Sequence, residues 1–97
     1  MSTLRNAVLS GELSQIRQSL STGANVNETD GSMTPLLWAI MRGDVEAVRL
    51  LLESGADPNL SPDGEYNCPL WSAEDDFGLD AIAQILRSYG AQKPSVA

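Results

Sequence analysis

Two stretches of the sequence carry side chains that can do chemistry: Cys68, and the acidic run Glu74-Asp75-Asp76. Cys68 comes directly before a Pro-Leu pair that can start a helix, and a helix N-terminus favours the nucleophilic thiolate form of a cysteine. The acidic run offers carboxylates of the kind that serve as general acids and bases or as ligands of hard cations. A thiol nucleophile and a carboxylate site are therefore the two chemistries to weigh.

Neither chemistry has the partners that it needs. The chain has no His, the commonest general base and a common metal ligand. Consecutive residues on a helix point in different directions, and the acidic run has no calcium-loop spacing after it. We favour the interpretation that Cys68 is a small structural residue and that the acidic run is a solvated surface. The alternative is an enzyme that uses Cys68. The prediction is a non-enzymatic protein with no catalytic site, no metal site and no cofactor.

Charge and composition narrow the class of partner. The 97 residues include 6 basic and 13 acidic side chains, a net charge of −7, which disfavours nucleic acids and anionic lipids and favours a basic protein partner. Seven of the acids but only two of the bases lie from Asp57 onward. No apolar run approaches the roughly 20 residues that span a bilayer, so no membrane segment is predicted. A single cysteine and an N-terminus without an apolar signal core predict a cytoplasmic location.

The elements that must position these side chains are clearest in residues 34–59. Thr34 can cap a helix whose first residue is Pro35, and Asp44 can cap a second helix after a turn at Gly43. Gly55 supplies the left-handed residue that ends the second helix. Apolar residues recur at helical spacing in both segments: Leu36, Ala39, Ile40, Val45, Val48, Leu51 and Leu52. The prediction is a hairpin of two short helices.

This hairpin recurs along the chain. Gly-Ala pairs begin at Gly23, Gly55 and Gly90, with spacings of 32 and 35 residues. Three repeats therefore fill a single domain over residues 1–97: repeat 1 over 3–27, repeat 2 over 28–59 and repeat 3 over 60–91, with a tail over 92–97.

The two outer repeats differ from the middle one. In repeat 1 the second helix carries Gln15, Gln18 and Ser19 where an internal repeat would be apolar, as expected of a terminal repeat with one face in water. In repeat 3 the interval from Ala73 to Gly78 is one residue longer than the matching interval in repeat 2. We therefore expect a bulge in the first helix of repeat 3 or in the turn that follows it.

Residues 34–59 read TPLLWAIMRGDVEAVRLLLESGADPN, which closely resembles the ankyrin repeat, TPLHxAAxxG followed by a second helix that ends LLxxGADxN. Leu37 stands where that family has a His. The resemblance implies an all-α ankyrin solenoid of three stacked helix-turn-helix repeats. It also implies two short β-hairpin fingers, one around Asp30-Gly31 and one around Pro62-Asp63-Gly64.

The resemblance further implies that other proteins bind to the finger tips and to the inner helices, which are the first helices of the repeats. Trp38 and Trp71 either anchor a partner there or pack between repeats in place of the missing His contacts. The predicted partner-binding residues are Met33, Trp38, Met41, Arg42, Asp63, Glu65, Tyr66, Trp71, Glu74, Asp75, Asp76 and Phe77.

The sequence thus predicts a protein-binding module, monomeric when free, whose concave acidic-aromatic face engages a basic protein. A narrower hypothesis is an inhibitor of the immunity-protein or antitoxin type, because the chain resembles small stand-alone ankyrin proteins of bacteria. The alternative is a structural scaffold that forms a homo-oligomer through its exposed stacking faces.

Overall fold

The helices form an elongated array of 41 × 25 × 19 Å in a computed structural model, which describes residues 3–29, 33–60, 68–76 and 79–92. The described residues contain six α-helices and one π-helical segment, here called the π-turn. Their bounds are α1 Thr3–Ser10, α2 Leu13–Ser21, α3 Pro35–Arg42, α4 Val45–Glu53, α5 Pro69–Trp71, the π-turn Ser72–Asp76 and α6 Asp80–Ser88.

Local chemistry explains where the helices of repeat 2 begin and end. Thr34 Oγ1 accepts a hydrogen bond of 3.1 Å from the amide of Leu37, and Pro35 follows as the first helical residue. Gly43 ends α3 at φ +67°, a left-handed conformation that glycine adopts without steric cost. The Asp44 carboxylate then caps α4 by accepting from the amide of Ala47 over 3.1 Å. Both predicted caps are confirmed.

The helices lie in two layers. The first helices of the repeats, α1, α3 and α5 with its π-turn, pack side by side as the inner layer, and the second helices, α2, α4 and α6, form the outer layer. Apolar side chains from both layers meet between them in one continuous core. The largest members that are almost completely buried are Leu4, Val8, Ile16, Leu36, Ile40, Val48, Leu51, Ile82 and Leu86. The predicted three-repeat stack is therefore confirmed.

Asparagine side chains tie each repeat to the next. Asn27 Oδ1 accepts from the amide of Asp57 over 2.7 Å, and Asn59 Oδ1 accepts from the amide of Gln92 over 2.8 Å. The Nδ2 atom of each asparagine also donates to a carbonyl oxygen of the same neighbouring loop, over 3.4 and 3.1 Å. These paired bonds set the register between repeats, which fixes how the exposed residues of the inner helices line up.

The inserted residue of repeat 3 is taken up by the π-turn, which confirms the predicted bulge. In repeat 2 the amide of Asp44 bonds to the carbonyl of Ala39 over 3.1 Å, closing the turn after α3. In repeat 3 the equivalent bond joins the amide of Leu79 to the carbonyl of Ala73 over 2.6 Å, across one more residue. The wider π-helical turn accommodates the extra residue while the turn closes in the same way.

The two predicted β-hairpin fingers lie largely outside the described residues, which omit 30–32 and 61–67. Met33 takes part in a β-bridge, and the described part of the chain contains no strand. The fingers therefore stay a prediction, as does the form of the tail beyond Gln92.

One expectation for repeat 1 is wrong. Gln15 and Gln18 are exposed as predicted, but Ser19 is buried. Ser19 stands 32 residues before Leu51, so it occupies a core position with a much shorter side chain. A groove of about 300 Å³ lies there on α2, lined by Gln15, Gln18, Ser19 and Thr22.

Candidate functional site

The exposed face of α3 brings together three of the predicted binding residues. Trp38, Met41 and Arg42 have the i, i+3, i+4 spacing that places side chains on one face of a helix. Met41 is 49% exposed, Arg42 is exposed and Trp38 is half-buried. Because α3 is capped at both ends and its opposite face is buried in the core, it presents these side chains from a fixed backbone.

The side chain of Trp38 is partly buried and partly exposed. Its ring packs against the hydrophobic core, while part of the side chain remains exposed. Its Nε1 atom is buried and has no acceptor among the described residues, an arrangement that costs about 1–3 kcal/mol. Trp71 lies in α5, but its side chain is outside the described part of the structure. The side-by-side pair of tryptophans therefore stays a prediction.

Leu9 of α1 joins this surface, and the sequence reasoning missed it. It stands 32 residues before Met41, which is the spacing between repeats 1 and 2, and it is 36% exposed. Because α1 packs against α3, the two equivalent positions lie on adjacent helices. The repeat spacing was the signal that could have found Leu9. We call Leu9, Trp38, Met41 and Arg42 the inner patch.

Arg42 reaches from repeat 2 to repeat 1. A Cβ atom built on Gly11 would lie only 2.9 Å from Arg42 Nη2, so the guanidinium lies directly over the turn that follows α1. Gly11 has φ +77°, which also favours glycine at this turn. The carbonyl groups at the C-terminal end of α1 carry partial negative charge, which favours a cation at this position. The inner patch thus has a cationic end beside its apolar side chains.

The acidic run of repeat 3 differs from the solvated surface that the sequence predicted. Glu74 forms an ion pair with Arg87 of α6, and its side chain is only 19% exposed. The cause is the approach of α6 to the π-turn, which places the two charges together. Asp75 and Asp76 belong to the π-turn, but their side chains are outside the described part, as is all of Phe77. The expectation of solvation is therefore wrong for Glu74 and remains a prediction for the other acids.

The predicted finger residues are mostly not described. Met33 is half-buried at its β-bridge, next to the capping residue of α3. Asp63, Glu65 and Tyr66 lie outside the described residues. Their place in a binding surface stays a prediction.

Cys68 has the environment of a structural residue. It is buried at the N-cap of α5, and its side chain makes no capping bond there. Its Sγ instead lies 3.4 Å from the carbonyl oxygen of Gln92, to which the thiol donates. The thiol therefore joins the start of the inner segment to the last loop of repeat 3, although it does not replace the capping function of Thr34.

The described residues contain neither a membrane-spanning helix nor a cluster of metal-binding side chains. None of their helices is long and apolar enough to cross a membrane. In the same portion of the chain, no three side chains of His, Cys, Asp or Glu are grouped so that they could hold a metal ion.

Comparison with known proteins places this geometry in a family. A family model described as ankyrin repeats, in three copies, matches residues 4–96. The human DNA-binding protein RFXANK is 50% identical over 52 residues, which are 52% of this chain and 20% of that protein. The human palmitoyltransferase ZDHHC13 is 42% identical over 67 residues, 67% of this chain and 11% of that protein.

The BRCA1-associated RING domain protein 1 of Caenorhabditis elegans is 36% identical over 58 residues, 60% of this chain and 8% of that protein. The chain thus spans about a fifth or less of the length of these three relatives. With a two-layer stack of three helical repeats and a family match over nearly its whole length, the chain belongs to the ankyrin-repeat family, whose repeats are protein–protein interaction modules.

Proposed function

We propose that this domain is a non-enzymatic binding protein that holds a protein partner on its inner layer and attracts basic groups of that partner with its acidic third repeat. The observation that carries the proposal is the exposure of Met41, which is 49% on a helix whose opposite face is buried. An exposed apolar side chain beside a partly exposed aromatic one is typical of an interface anchor.

Charge supports a basic partner. Net charge is −7 over the whole chain, and the excess of acids is concentrated from Asp57 onward. The ion pair with Arg87 satisfies Glu74, so we assign the attraction to Asp75 and Asp76 together with the acidic finger residues Asp63 and Glu65. Electrostatic attraction of this kind raises association rates and weakens with salt.

A narrower form of the proposal is an inhibitor of the immunity-protein or antitoxin type, which would cover the basic cleft of an effector. Its support is the acidic charge on a small ankyrin domain. The DNA-binding and palmitoyltransferase names belong to much longer relatives, and protein binding is the part that we extend to this chain. The free, buried thiol of Cys68 fits a reducing compartment and supports the cytoplasmic location that we propose.

The test is capture of partners from a lysate of the source cells by three forms of the immobilised protein. These are the wild type, a variant with Lys at Asp75 and Asp76, and a control with Lys at Glu46 and Glu53 of the outer helix α4. Both variants change the net charge equally, so only the position of the change differs. Circular dichroism verifies that all three forms are folded.

We expect a basic protein to be captured by the wild type and the control, to be lost with the Asp75 and Asp76 variant, and to be released by moderate salt. Equal capture by all three forms would overturn the acidic attraction and leave only the inner layer as the binding surface. If no protein is captured and light scattering shows an oligomer, the homo-oligomeric scaffold replaces the proposal.

A further inference from the structure

The inner layer is divided by charge, although the chain as a whole is acidic. Helices α1 and α3 carry one arginine each, Arg5 and Arg42, and neither helix contains an acidic residue. The π-turn in the same layer contains three acids and no base. By sequence, the inner helices of repeats 1 and 2 thus form a cationic part of this layer, and the inner segment of repeat 3 forms an anionic part.

Apolar exposure is also concentrated on the cationic part. Among the described residues, three large apolar or aromatic side chains are exposed: Leu9, Met41 and Tyr89. Leu9 and Met41 occupy equivalent positions on α1 and α3, whereas Tyr89 follows α6 in the outer layer. Scattered single exposures are normal on protein surfaces, but Leu9 and Met41 lie at equivalent positions of two helices that pack side by side.

The charge of Arg42 remains available to a partner. No carboxylate of the described residues forms an ion pair with it. Asp44 follows closely in the chain, but its carboxylate is engaged by the amide of Ala47. The guanidinium lies over Gly11, which is two residues after Leu9 in the sequence. In its own helix, Arg42 directly follows Met41. An apolar contact and a cation are thus presented together.

We infer that the inner patch binds a segment of the partner in which an apolar side chain lies next to a carboxylate. The apolar side chain packs on Leu9 and Met41 against the exposed part of Trp38, and the carboxylate pairs with Arg42. This inference rests on the proposed function and adds to it, because basic groups of the partner lie over repeat 3. A partner that is acidic-apolar at one end and basic at the other can bind in one direction only.

The probe is a library of random 12-residue peptides displayed on phage and selected on the intact wild-type protein. Selected peptides are then synthesised and titrated against Met41→Ser and Arg42→Glu. The matched controls are Tyr89→Ser, which removes a similarly exposed large side chain from the outer layer, and Arg49→Glu, which reverses an exposed arginine of α4. All four positions are exposed, so folding is expected to be retained, and circular dichroism checks it.

We expect the enriched peptides to share an apolar residue within a few positions of Asp or Glu. Met41→Ser and Arg42→Glu should each weaken their binding about tenfold, equivalent to about 1.4 kcal/mol, while the two controls leave it unchanged. Enrichment of Lys- or Arg-rich peptides that still bind Arg42→Glu would overturn the inference and leave the proposed function standing. The absence of any enriched peptide would also overturn it, and with no partner captured from lysate the proposed function would fail as well.

Discussion

The inner segments of repeats 2 and 3 occupy equivalent places in the stack but are built differently. Repeat 2 uses one eight-residue helix, α3, whose first turn is capped by the Thr34 hydroxyl. Repeat 3 uses the three-residue α5 followed by the π-turn, and Cys68 makes no capping bond. Both segments nevertheless bury an alanine at the same point, Ala39 and Ala73, and both close by a bond to the carbonyl of that alanine.

This difference shows which features the stack requires. The buried alanine and the closing bond are kept, so they set the register between the two layers. The cap, the helical pitch and the charge of the exposed residues differ, so these can vary without loss of the fold. Repeat 3 thus retains the packing of repeat 2, while its sequence has Asp75 and Asp76 where α3 has Met41 and Arg42.

The largest difference between the two repeats is expected when one residue is deleted from each inner segment. Deleting Asp76 removes the extra residue and should let the π-turn revert to α-helix, changing the free energy of unfolding by no more than about 1 kcal/mol. Deleting Met41 leaves α3 one residue short, rotates the following residues by about 100° and misaligns the core. We expect the Met41 deletion to abolish cooperative unfolding. Urea unfolding monitored by circular dichroism measures this. Equal damage from both deletions would mean that the π-turn is needed for the fold.

A smaller effect is expected from truncating the same core position in the two repeats. Leu51 and Leu86 stand 35 residues apart and are both fully buried. Leu51→Ala should cost about 2–5 kcal/mol, because α4 is packed against outer helices on both sides and cannot collapse around the cavity. Leu86→Ala should fall at the lower end of that range, because among the described residues α4 is the one outer helix that packs against α6. Urea unfolding of both variants measures the difference in stability. A larger loss of stability in Leu86→Ala than in Leu51→Ala would contradict the prediction.

The sequence predicts best those features of the fold that depend on residues close together in the chain or on the repeat spacing. The caps at Thr34 and Asp44 bond within four residues, so their residue types were enough to place the helix starts. The bulge in repeat 3 followed from counting residues against repeat 2. Each of these predictions needed only the chain itself and its repeat spacing.

Features that depend on how helices approach one another were missed or mistaken. The pairing of Glu74 with Arg87 requires the π-turn to face α6, which no residue pattern shows. Ser19 is polar in type but buried by its position in the stack. The guanidinium of Arg42 lies over Gly11 because α1 and α3 are adjacent, and that geometry shows that the inner layer is not uniformly acidic.

The residues at the N-cap positions of α3 and α5 should differ moderately in what they contribute to the free energy of unfolding. Thr34→Ala removes a buried side-chain bond to the amide of Leu37 and should cost about 1–2 kcal/mol. Cys68→Ala removes no capping bond, only the weak contact of Sγ with the carbonyl of Gln92, so its cost should be smaller than that of Thr34→Ala. The midpoints of urea unfolding measure the loss of stability in both variants. A greater loss at Cys68 would show that the contact with the last loop, rather than capping, holds the start of repeat 3.

The smallest effect is expected at the ion pair that distinguishes repeat 3. Arg87 stands 35 residues after the buried Leu52, yet its side chain is 53% exposed and pairs with Glu74. Because the guanidinium side of the pair is open to water, which screens the attraction, a double-mutant cycle of Glu74→Gln and Arg87→Gln should give a coupling of about 0.2–1 kcal/mol that fades in about 1 M salt. A coupling that salt does not weaken would show that water is excluded from the pair.

The same cycle also connects stability to recognition. Arg87→Gln removes a positive charge beside the π-turn, so the net charge of repeat 3 becomes more negative by one unit. Basic peptides should then bind repeat 3 more tightly, whereas binding of acidic-apolar peptides to the inner patch should not change. If both classes respond alike, the effect is one of net charge, and the two parts of the inner layer do not act as separate surfaces.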